Sequence, residues 1–185
     1  MRDQRLSELL DAVAARTAAP GGGSTAACTC ALAAAVTEMA ARFAGPELEP
    51  IGARAVELRE RALELADREL HAYEPVLAAL RLPREDPKRE QRLRNARAQA
   101  AETPLALAVV AVEVAELAAG AVREGNHHLA GDAITGALLA EAACAAAARL
   151  VEINLAGDPG PGARAEAAEL ARRAGAAREA ALAGA

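Results

Sequence analysis

A glycine-rich segment near the N-terminus is the first place where this sequence could do chemistry. Pro20 is followed by Gly21, Gly22 and Gly23 and then by Ser24, which we predict to be the N-cap of a helix. Backbone N–H groups are unsatisfied at a helix N-terminus, and the helix dipole adds positive potential there. Such a turn could bind a carboxylate, a phosphate or the polar edge of a ring. The alternative is an ordinary interhelical turn, since no Gly-Lys-Ser/Thr follows to make a P-loop.

A polar segment between two apolar stretches is the second candidate. It runs from Gly125 to Asp132 and contains Asn126, His127 and His128. Adjacent histidines seldom bind one ion together and no second ligand cluster accompanies them, so we predict no metal site. A C-cap glycine, a loop and an N-cap aspartate would explain Gly125 and Asp132 without any function. An active-site role for this segment is therefore one of two interpretations.

A single carboxylate on an apolar helix face is the third candidate. Glu69 occupies one position of a four-and-three repeat whose other members are apolar, namely Ile51, Ala55, Leu58, Ala62, Leu65, Ala72 and Val76. A carboxylate on a buried face must be paired, hydrogen-bonded or protonated, and a raised pKa suits a general acid at neutral pH. The alternative is a structural ion pair with an arginine. Asn154, near the end of a helix of small residues, is a weaker candidate of the same kind.

Helices separated by proline- and glycine-containing breaks must position these residues. Periodicity and capping signals predict three helices in the first half of the chain, over 6–13, from Ser24 to about 42, and from 51 to a break or kink at Pro75. In the second half they predict a helix from about 88, one from a cap at Thr103-Pro104 to about 124, one from a cap at Asp132 to 155, and a last one after a linker at 158–162. We find no alternation typical of strands. The sequence thus predicts an all-α, single-domain bundle of six or seven closely packed, alanine-rich helices. Its main helical domain would span 1–158, with a linker and a C-terminal helix at 159–185 packed on the same domain.

Composition narrows the class of protein further. The 185 residues are 53% hydrophobic but only 1% aromatic, and the formal net charge is −5. A chain without a basic face is not expected to bind nucleic acid. The cysteines at 28, 30 and 144 have no metal-ligand spacing, and reduced cysteines suit a cytoplasmic protein. We expect no signal peptide, and we expect charged residues to interrupt each apolar stretch, so no membrane partner is predicted.

The ordered set of motifs resembles the cyclodeaminase/cyclohydrolase family, which includes the cyclodeaminase domain of formiminotransferase-cyclodeaminase and stand-alone methenyltetrahydrofolate cyclohydrolases. The matching segments lie between residues 6 and 158 and are Pro20 to Ser24, Ala72-Tyr73, Leu82-Pro83, Thr103-Pro104-Leu105, Gly125-Asn126 with Asp132 after it, and Ile153-Asn154-Leu155. The chain departs from the family pattern at four positions. The family usually has aspartate, phenylalanine, serine and asparagine where this sequence has Glu69, Tyr73, Gly131 and Leu150.

The resemblance implies an all-helical homodimer that binds a reduced folate without a metal or a separate cofactor. Asp132 and Glu69 would be the catalytic acid–base pair. The amides of residues 21–23 and the side chains of Ser24 and Asn126 would bind the substrate, and His127 and Asn154 are further substrate-binding candidates. For these roles the three segments must meet in one cleft, either within one chain or through a subunit contact.

Two folate reactions and two roles without turnover are compatible with this sequence. A formiminotetrahydrofolate cyclodeaminase forms the 5,10-methenyl bridge from 5-formiminotetrahydrofolate and releases ammonia, and we expect this activity first. A methenyltetrahydrofolate cyclohydrolase opens that bridge with water to give 10-formyltetrahydrofolate. A helical folate-binding or scaffold protein is the third alternative, favoured by Leu150. An interaction module that uses the apolar repeat around Glu69 is the fourth.

Overall fold

Seven α-helices and two short 3₁₀ turns make up residues 4–156 and 162–184, the part of the chain that the computed structural model describes. The helices are α1 (Leu6–Ala14), α2 (Gly22–Ala44), α3 (Glu49–Ala72), α4 (Glu74–Leu80), α5 (Arg89–Glu124), α6 (Ala130–Asn154) and α7 (Gly162–Ala183), and the 3₁₀ turns are Pro46–Leu48 and His127–Leu129. These residues contain no strand, which confirms the all-α prediction. The predicted boundary between 158 and 159 lies outside the described residues.

The five long helices pack side by side, with α2 near the centre. α2 packs against α3 and α6 and more lightly against α5, and α7 covers α5 and α6. α5 runs antiparallel to α3, because Arg54 pairs with Glu113 while Ile51, one turn earlier, lies beside Gly120. The Gly21–Gly23 segment and the last turns of α3 therefore share one end of the bundle. The connection from Gly125 to Asp132 lies at the opposite end.

Small side chains fill most of the core, so the helix backbones approach one another closely. The apolar repeat of α3 faces inward, and Ala55, Leu58, Ala62 and Leu65 are all buried. This repeat packs against the chain's own α2 and α5. It is therefore not free to bind a partner helix, which removes the basis for the interaction-module alternative.

α5 is one helix of 36 residues, where the sequence predicted two. The prediction of a cap at Thr103 and a helix start at Pro104 was wrong, because both residues lie inside the helix and are buried. Proline lacks an N–H, so Pro104 leaves the carbonyl of Ala100 without its helical donor. The Asn154 side chain supplies that donor from α6, with its Nδ2 lying 2.9 Å from the Ala100 oxygen. A contact distant in sequence thus lets the helix continue through the proline.

Two predicted helix caps were also wrong. α2 begins at Gly22 with extended Gly21 as its N-cap, so Ser24 lies in the first turn. α6 begins at Ala130 and carries Asp132 in its first turn, because the 3₁₀ turn before it leads directly into the helix. Asn126 caps that 3₁₀ turn instead, since its Oδ1 accepts a hydrogen bond from the His128 N–H at 2.9 Å.

Three helical segments are long and apolar enough, by length and composition alone, to span a membrane. They are α2, α5 and the segment His127–Asn154 that contains α6. Their most apolar windows carry no more than two charged residues each, so the charges that interrupt these stretches leave them apolar enough to be candidate spans. Within the bundle 61%, 67% and 44% of those windows are buried, so the α6 segment has the smallest buried share of the three.

Candidate active site

The amino end of α2 is built from the glycine segment. The Gly21 carbonyl is the first acceptor of the helix, since it receives both the Thr25 N–H at 3.0 Å and the Thr25 hydroxyl at 2.9 Å. Gly22 is exposed, whereas Gly23 and Ser24 turn toward the interior and are buried. The unsatisfied N–H groups of this first turn and the helix dipole make its surroundings favourable for negative charge.

Glu69 of α3 lies directly against Gly23. A Cβ atom at Gly23 would lie 2.6 Å from the Glu69 Cγ and closer still to the carboxyl carbon and Oε1, so no other residue type fits unless Glu69 moves. The first and third segments singled out in the sequence therefore meet. The absence of a side chain at Gly23 is what allows the carboxyl group to reach the amino end of α2.

Burial raises the pKa of the Glu69 carboxyl to about 7, because the charged form loses its hydration there. Its Oε2 atom is buried and accepts no hydrogen bond from the described residues. At neutral pH the group is divided between acid and carboxylate, so it can either donate or accept a proton. That is the property sought in a catalytic acid–base group.

Ser24 adds a second polar atom without a partner at the same place. Its hydroxyl is fully buried and makes no hydrogen bond within the described residues. Threonines at 25, 29, 37 and 135 each donate to the carbonyl four residues earlier in their own helix. Ser24 has no such acceptor, because the residue four earlier is Pro20, which precedes α2. Buried polar atoms without partners are rare in native proteins and call for an explanation.

Two open cavities flank this end of the bundle. One, of about 420 Å³, lies between the first turns of α2 and the middle of α6 and is lined by small residues, including Gly21, Gly22 and Ala143. The other, of about 330 Å³, lies between α3 and α5 and is lined mainly by polar side chains, namely Arg68, His71, Gln99, Glu102 and Thr103, with Ala72 and Pro75. One cavity is thus lined mainly by small residues and the other mainly by polar ones, and the Glu69 side chain lines neither of them.

The Asn126–Asp132 segment is not part of this site within one chain. Asp132 precedes Gly136 by one helical turn, and a Cβ at Gly136 would lie 2.5 Å from the Thr37 hydroxyl oxygen. Thr37 is fourteen residues beyond Gly23 along α2, which corresponds to about 21 Å. Within one chain only two of the three segments therefore meet, and the expectation that all three share one cleft now depends on a subunit contact. Asn126 and His127 are exposed there, and Asp132 is half-buried.

Asn154 lies apart from both groups and has a structural contact of its own. Its Nδ2 donates to the carbonyl that Pro104 leaves free, and its residue is 9% exposed. This hydrogen bond accounts for the buried Asn154 amide at the end of α6, so no ligand is needed to explain it. The substrate-binding role predicted for Asn154 remains a prediction.

The sequence reading missed one buried acid, Glu38 on α2. It is 3% exposed, and its two oxygens lie 2.6 Å from Arg42 Nη2 and 2.8 Å from Arg59 Nη1. These arginines balance its charge, so Glu38 is accounted for as part of the fold. A cavity of about 480 Å³ opens nearby between α2 and α3, lined by residues that include Arg42 and Glu49. The signal that could have revealed Glu38 is its position as an isolated charge in a run of small residues.

Comparison with known proteins adds to this geometry. The family model described as formiminotransferase-cyclodeaminase matches residues 5–172. A methenyltetrahydrofolate cyclohydrolase from Methylorubrum extorquens is 27% identical over 168 residues, which cover 84% of this chain and 81% of that protein. The crystal structure of formiminotetrahydrofolate cyclodeaminase from Thermotoga maritima superposes with a TM-score of 0.84 at 28% identity, covering 99% of this chain and 94% of the other.

Proposed function

Because this chain belongs to the formiminotransferase-cyclodeaminase family, we propose that it is a folate enzyme with formiminotetrahydrofolate cyclodeaminase activity. One observation carries the proposal: a carboxyl group whose pKa is raised to about 7 lies against the amino end of α2 and leaves one oxygen unpartnered. Proton transfer to and from nitrogen is what the reaction requires. Glu69 is therefore the catalytic residue of this proposal.

The reaction forms one C–N bond and breaks another. The 10-nitrogen of 5-formiminotetrahydrofolate attacks the formimino carbon, which becomes tetrahedral, and the proton of that nitrogen must be removed. The former imino nitrogen carries one hydrogen and must gain two protons before it can leave as ammonia, one replacing the proton lost by the 10-nitrogen and one coming from solvent. Collapse of the tetrahedral carbon then leaves the 5,10-methenyl bridge. A single group that ionises near neutral pH can serve both proton transfers in turn.

The position of Glu69 favours donation of the proton to the leaving nitrogen. When the carboxyl group gives up its proton, the resulting carboxylate faces the first turn of α2. The N–H groups and dipole of that turn favour negative charge, which offsets part of the cost of burying it. Ser24, whose hydroxyl lies within the same turn, is a binding group for a polar atom of the folate near the reacting carbon.

The two flanking cavities supply surfaces suited to a reduced pterin. The flat faces of the ring would lie against Gly21, Gly22 and Ala143, where no large side chain intervenes. The ring edge carries donors and acceptors that match polar groups such as Gln99 and Glu102 in the second cavity. Gly22 in the first cavity adjoins Gly23 in the chain, and Arg68 in the second adjoins Glu69, so we place the reacting carbon of the substrate between the two cavities.

Methenyltetrahydrofolate cyclohydrolase is the second candidate activity, and the name of the Methylorubrum relative favours it. In that reaction water attacks the bridge carbon and loses two protons, one of which ends on the 5-nitrogen as the C–N5 bond breaks and the other in solvent, which gives 10-formyltetrahydrofolate. Glu69 would accept the proton from water as a carboxylate and return it to the 5-nitrogen. Both reactions pass through a tetrahedral carbon at the same place and use the same residue.

Absorbance of the methenyl bridge separates the two activities. With 5-formiminotetrahydrofolate, the cyclodeaminase gives a gain of absorbance and release of ammonia. With 5,10-methenyltetrahydrofolate, the cyclohydrolase gives a loss faster than the uncatalysed reaction. Glu69→Gln should abolish either signal, whereas Glu64→Gln, an exposed change on the same helix, should preserve it. If neither substrate reacts, the enzyme proposal fails, and folate binding without turnover would indicate the scaffold alternative.

A further inference from the structure

The polar cavity between α3 and α5 continues along α5 beyond the candidate active site. It shares Pro75 and Gln99 with a neighbouring cavity of about 440 Å³ that lies between α4 and α5, so the two cavities are parts of one groove. The α5 side of this groove is a single stripe, because its lining positions 92, 95, 96, 99, 102 and 103 recur every three or four residues. We call this feature the α5 groove.

The α5 groove leads from the neighbourhood of Glu69 to the amino end of α5. Arg68, which precedes Glu69 in the chain, lines its first part, and Arg92, at the end of the first turn of α5, lines its far part. The eleven residues from Arg92 to Thr103 correspond to about 16 Å of helix. A ligand that reacts beside Glu69 can therefore extend along the groove as far as Arg92.

The lining of the α5 groove changes along its length. Its first part is mainly polar, whereas its far part is lined mainly by apolar side chains, including Pro75, Ala79, Leu82 and Ala96. An apolar surface of this kind suits a flat ring or a chain of methylene groups. Arg92 then adds a positive charge, so the groove fits a ligand that is apolar along part of its length and anionic at its end.

The far end of the α5 groove lies in a basic segment of an otherwise acidic chain. Of the 21 basic and 26 acidic residues of the chain, seven and three lie between 81 and 97, which gives this segment a formal charge of +4 and the other 168 residues a formal charge of −9. The amino end of α5 lies in the same segment, and its helix dipole adds positive potential. The segment therefore attracts a ligand with several negative charges.

Several cations of this basic segment have no carboxylate partner. Arg94 pairs with Glu90, with its Nη1 lying 2.6 Å from Oε1. Arg84, Lys88 and Arg92, by contrast, form no ion pair with any residue in the described part of the chain. Most arginines of α7 differ from these three, because each pairs with a glutamate. The three unpaired side chains are thus available to an anionic ligand.

We propose that the α5 groove binds the p-aminobenzoyl-glutamate tail of the folate, and that Arg92 gives the protein a preference for tails with several γ-linked glutamates. The tail has matching chemistry, since it consists of a flat ring, then methylene groups, and one free α-carboxylate for each glutamate, which an arginine can bind. The choice of a folate as the ligand rests on the proposed function, whereas the groove and its charge do not.

The tail starts at the right place and has a suitable length. Its ring is attached to the 10-nitrogen, which is bonded to the bridge carbon in the methenyl compound, so the tail leaves the pterin beside the reacting carbon. The ring and the first glutamate span about 10 Å, and each further γ-linked glutamate adds about 6 Å. The second or third glutamate therefore reaches Arg92 across the about 16 Å of groove, whereas a monoglutamate ends before it.

A nucleic acid is the other polyanion that a basic segment could attract. Single strands are generally bound through aromatic side chains on which the bases stack. None of the residues that line the α5 groove is aromatic. The apolar lining ahead of the charged end also suits a ring and methylene groups better than a backbone with a phosphate at every nucleotide. The groove therefore favours the folate tail.

Steady-state kinetics with folate substrates of different tail length test the role of Arg92. In the wild type, KM for the pentaglutamate should be about tenfold lower than KM for the monoglutamate, as expected for a charge-assisted contact made only by the longer tail. Arg92→Gln should bring the two KM values to within about twofold of each other, because that contact is lost. Arg172→Gln, which removes an exposed positive charge on α7, should keep the wild-type ratio. Equal KM values in the wild type, or the same ratio in Arg92→Gln, would overturn the proposal.

Filling the groove tests whether the position of the charge matters as well as its sign. Ala78 is exposed and lines the far part, so Ala78→Trp should obstruct the groove without changing its charge, and the ratio of KM values should again fall toward one. Ala98→Trp, at an exposed position of α5 outside the groove, is the matched control and should keep the ratio. Unchanged selectivity in Ala78→Trp, with the helical circular dichroism of the wild type, would mean that the tail does not pass through the groove.

Binding of the tail alone tests the groove without turnover. p-Aminobenzoyl-penta-γ-glutamate, which has no pterin, should bind the wild-type protein in isothermal titration calorimetry, more weakly as salt is raised, and about tenfold more weakly to Arg92→Gln. Such binding by a protein that converts neither folate substrate would support the groove and refute the proposed function. Turnover with equal KM values and no binding of the tail would refute the groove and leave the proposed function intact. Tighter binding of a single-stranded oligonucleotide, also weakened by Arg92→Gln, would assign the groove to nucleic acid and overturn the proposal.

Discussion

Two regions of this bundle bury polar side chains. They differ in whether those side chains have hydrogen-bond partners. On α6, the amide of Asn154 donates to the Ala100 carbonyl that Pro104 leaves free. At the amino end of α2, the Ser24 hydroxyl and one oxygen of Glu69 are buried without any partner among the described residues. The first region is complete as folded. In the second region, we propose that the folate supplies the missing partners.

This difference in hydrogen bonding indicates which buried polar groups stabilise the fold and which are candidates for a functional role. A buried polar group with a partner contributes to folding, and its removal leaves another group unsatisfied. A buried polar group without a partner lowers stability, and the fold retains it at that cost. We therefore expect substitution of Asn154 to reduce stability and to spare turnover, and substitution of the unpartnered groups themselves, Glu69 and Ser24, to impair function without reducing stability.

The largest expected effect is on catalysis at Glu69. Glu69→Gln keeps the size of the side chain and removes its ability to exchange a proton, so kcat should fall by about 10²–10⁴-fold. The melting temperature at pH 7 should not decrease, because the amide is neutral in a place where burial disfavours charge. Steady-state kinetics with the substrate that proves active, together with thermal unfolding, provide the measurement. A variant that retains half of the wild-type kcat would remove Glu69 from the mechanism.

Asn154 should show the opposite pattern. Asn154→Leu leaves the buried Ala100 carbonyl without a donor and should lower the free energy of unfolding by about 1–3 kcal/mol. Pro104→Ala restores a backbone N–H to that carbonyl, so in the Pro104→Ala background the same substitution should cost less. A double-mutant cycle by urea unfolding measures the coupling. Independent, additive effects, or loss of turnover in folded Asn154→Leu protein, would indicate that Asn154 acts on the substrate instead.

The same two regions show what the sequence could predict. Features that depend on residues close together in the sequence could be predicted. They are the glycines that begin α2, the break at Pro75 and the repeat that places Glu69 on a buried face. The repeat also suggested a raised pKa for Glu69, which its burial against Gly23 produces.

Contacts between residues distant in sequence could not be predicted from such short-range patterns. The continuity of α5 through Pro104 depends on a donor fifty residues later, so local rules predicted a helix start there. The position of Asp132 at the far end of α2 depends on how α6 packs against α2, which the order of motifs does not specify. The ion pair between Glu38 and Arg59 likewise requires α3 to be in place.

Gly23 offers a way to disturb the unpartnered region without changing its polar groups. The Cβ of Gly23→Ala would overlap Glu69, which must then move toward solvent; we expect about 1 kcal/mol of destabilisation or more and at least tenfold lower activity. The apparent pKa in the pH–rate profile should fall below its wild-type value, because a solvated carboxyl ionises more easily. Gly175→Ala on α7, whose Cβ meets no atom within 4 Å, is the matched control and should keep activity without loss of stability. Equal behaviour of the two variants would contradict the close contact between Gly23 and Glu69.

Ser24 should show a smaller effect of mixed sign. Ser24→Ala removes a buried hydroxyl that has no partner, so the free energy of unfolding should rise by about 1 kcal/mol. The same change removes a binding group, so KM for the folate should increase. Thr37→Val is a useful contrast, because the Thr37 hydroxyl is buried but donates to the Ala33 carbonyl, and its loss should not stabilise the protein. Destabilisation by Ser24→Ala would mean that the hydroxyl has a partner in the folded protein.

The smallest expected effect is a pH-dependent difference in melting temperature between wild type and Glu69→Gln. The folded-state pKa of Glu69 is raised from 4.5 to about 7, so below 4.5 the carboxyl is protonated in both the folded and unfolded states and carries no electrostatic penalty. Between 4.5 and 7 the unfolded chain releases the proton while the folded chain retains it, which progressively favours unfolding of the wild type. The glutamine variant has no such proton to release. Its melting temperature relative to wild type should therefore rise across that interval by a few degrees and level off above pH 7. A difference that stays constant from pH 4 to pH 8 would mean that Glu69 is solvated or paired, and the contrast with Asn154 would no longer hold.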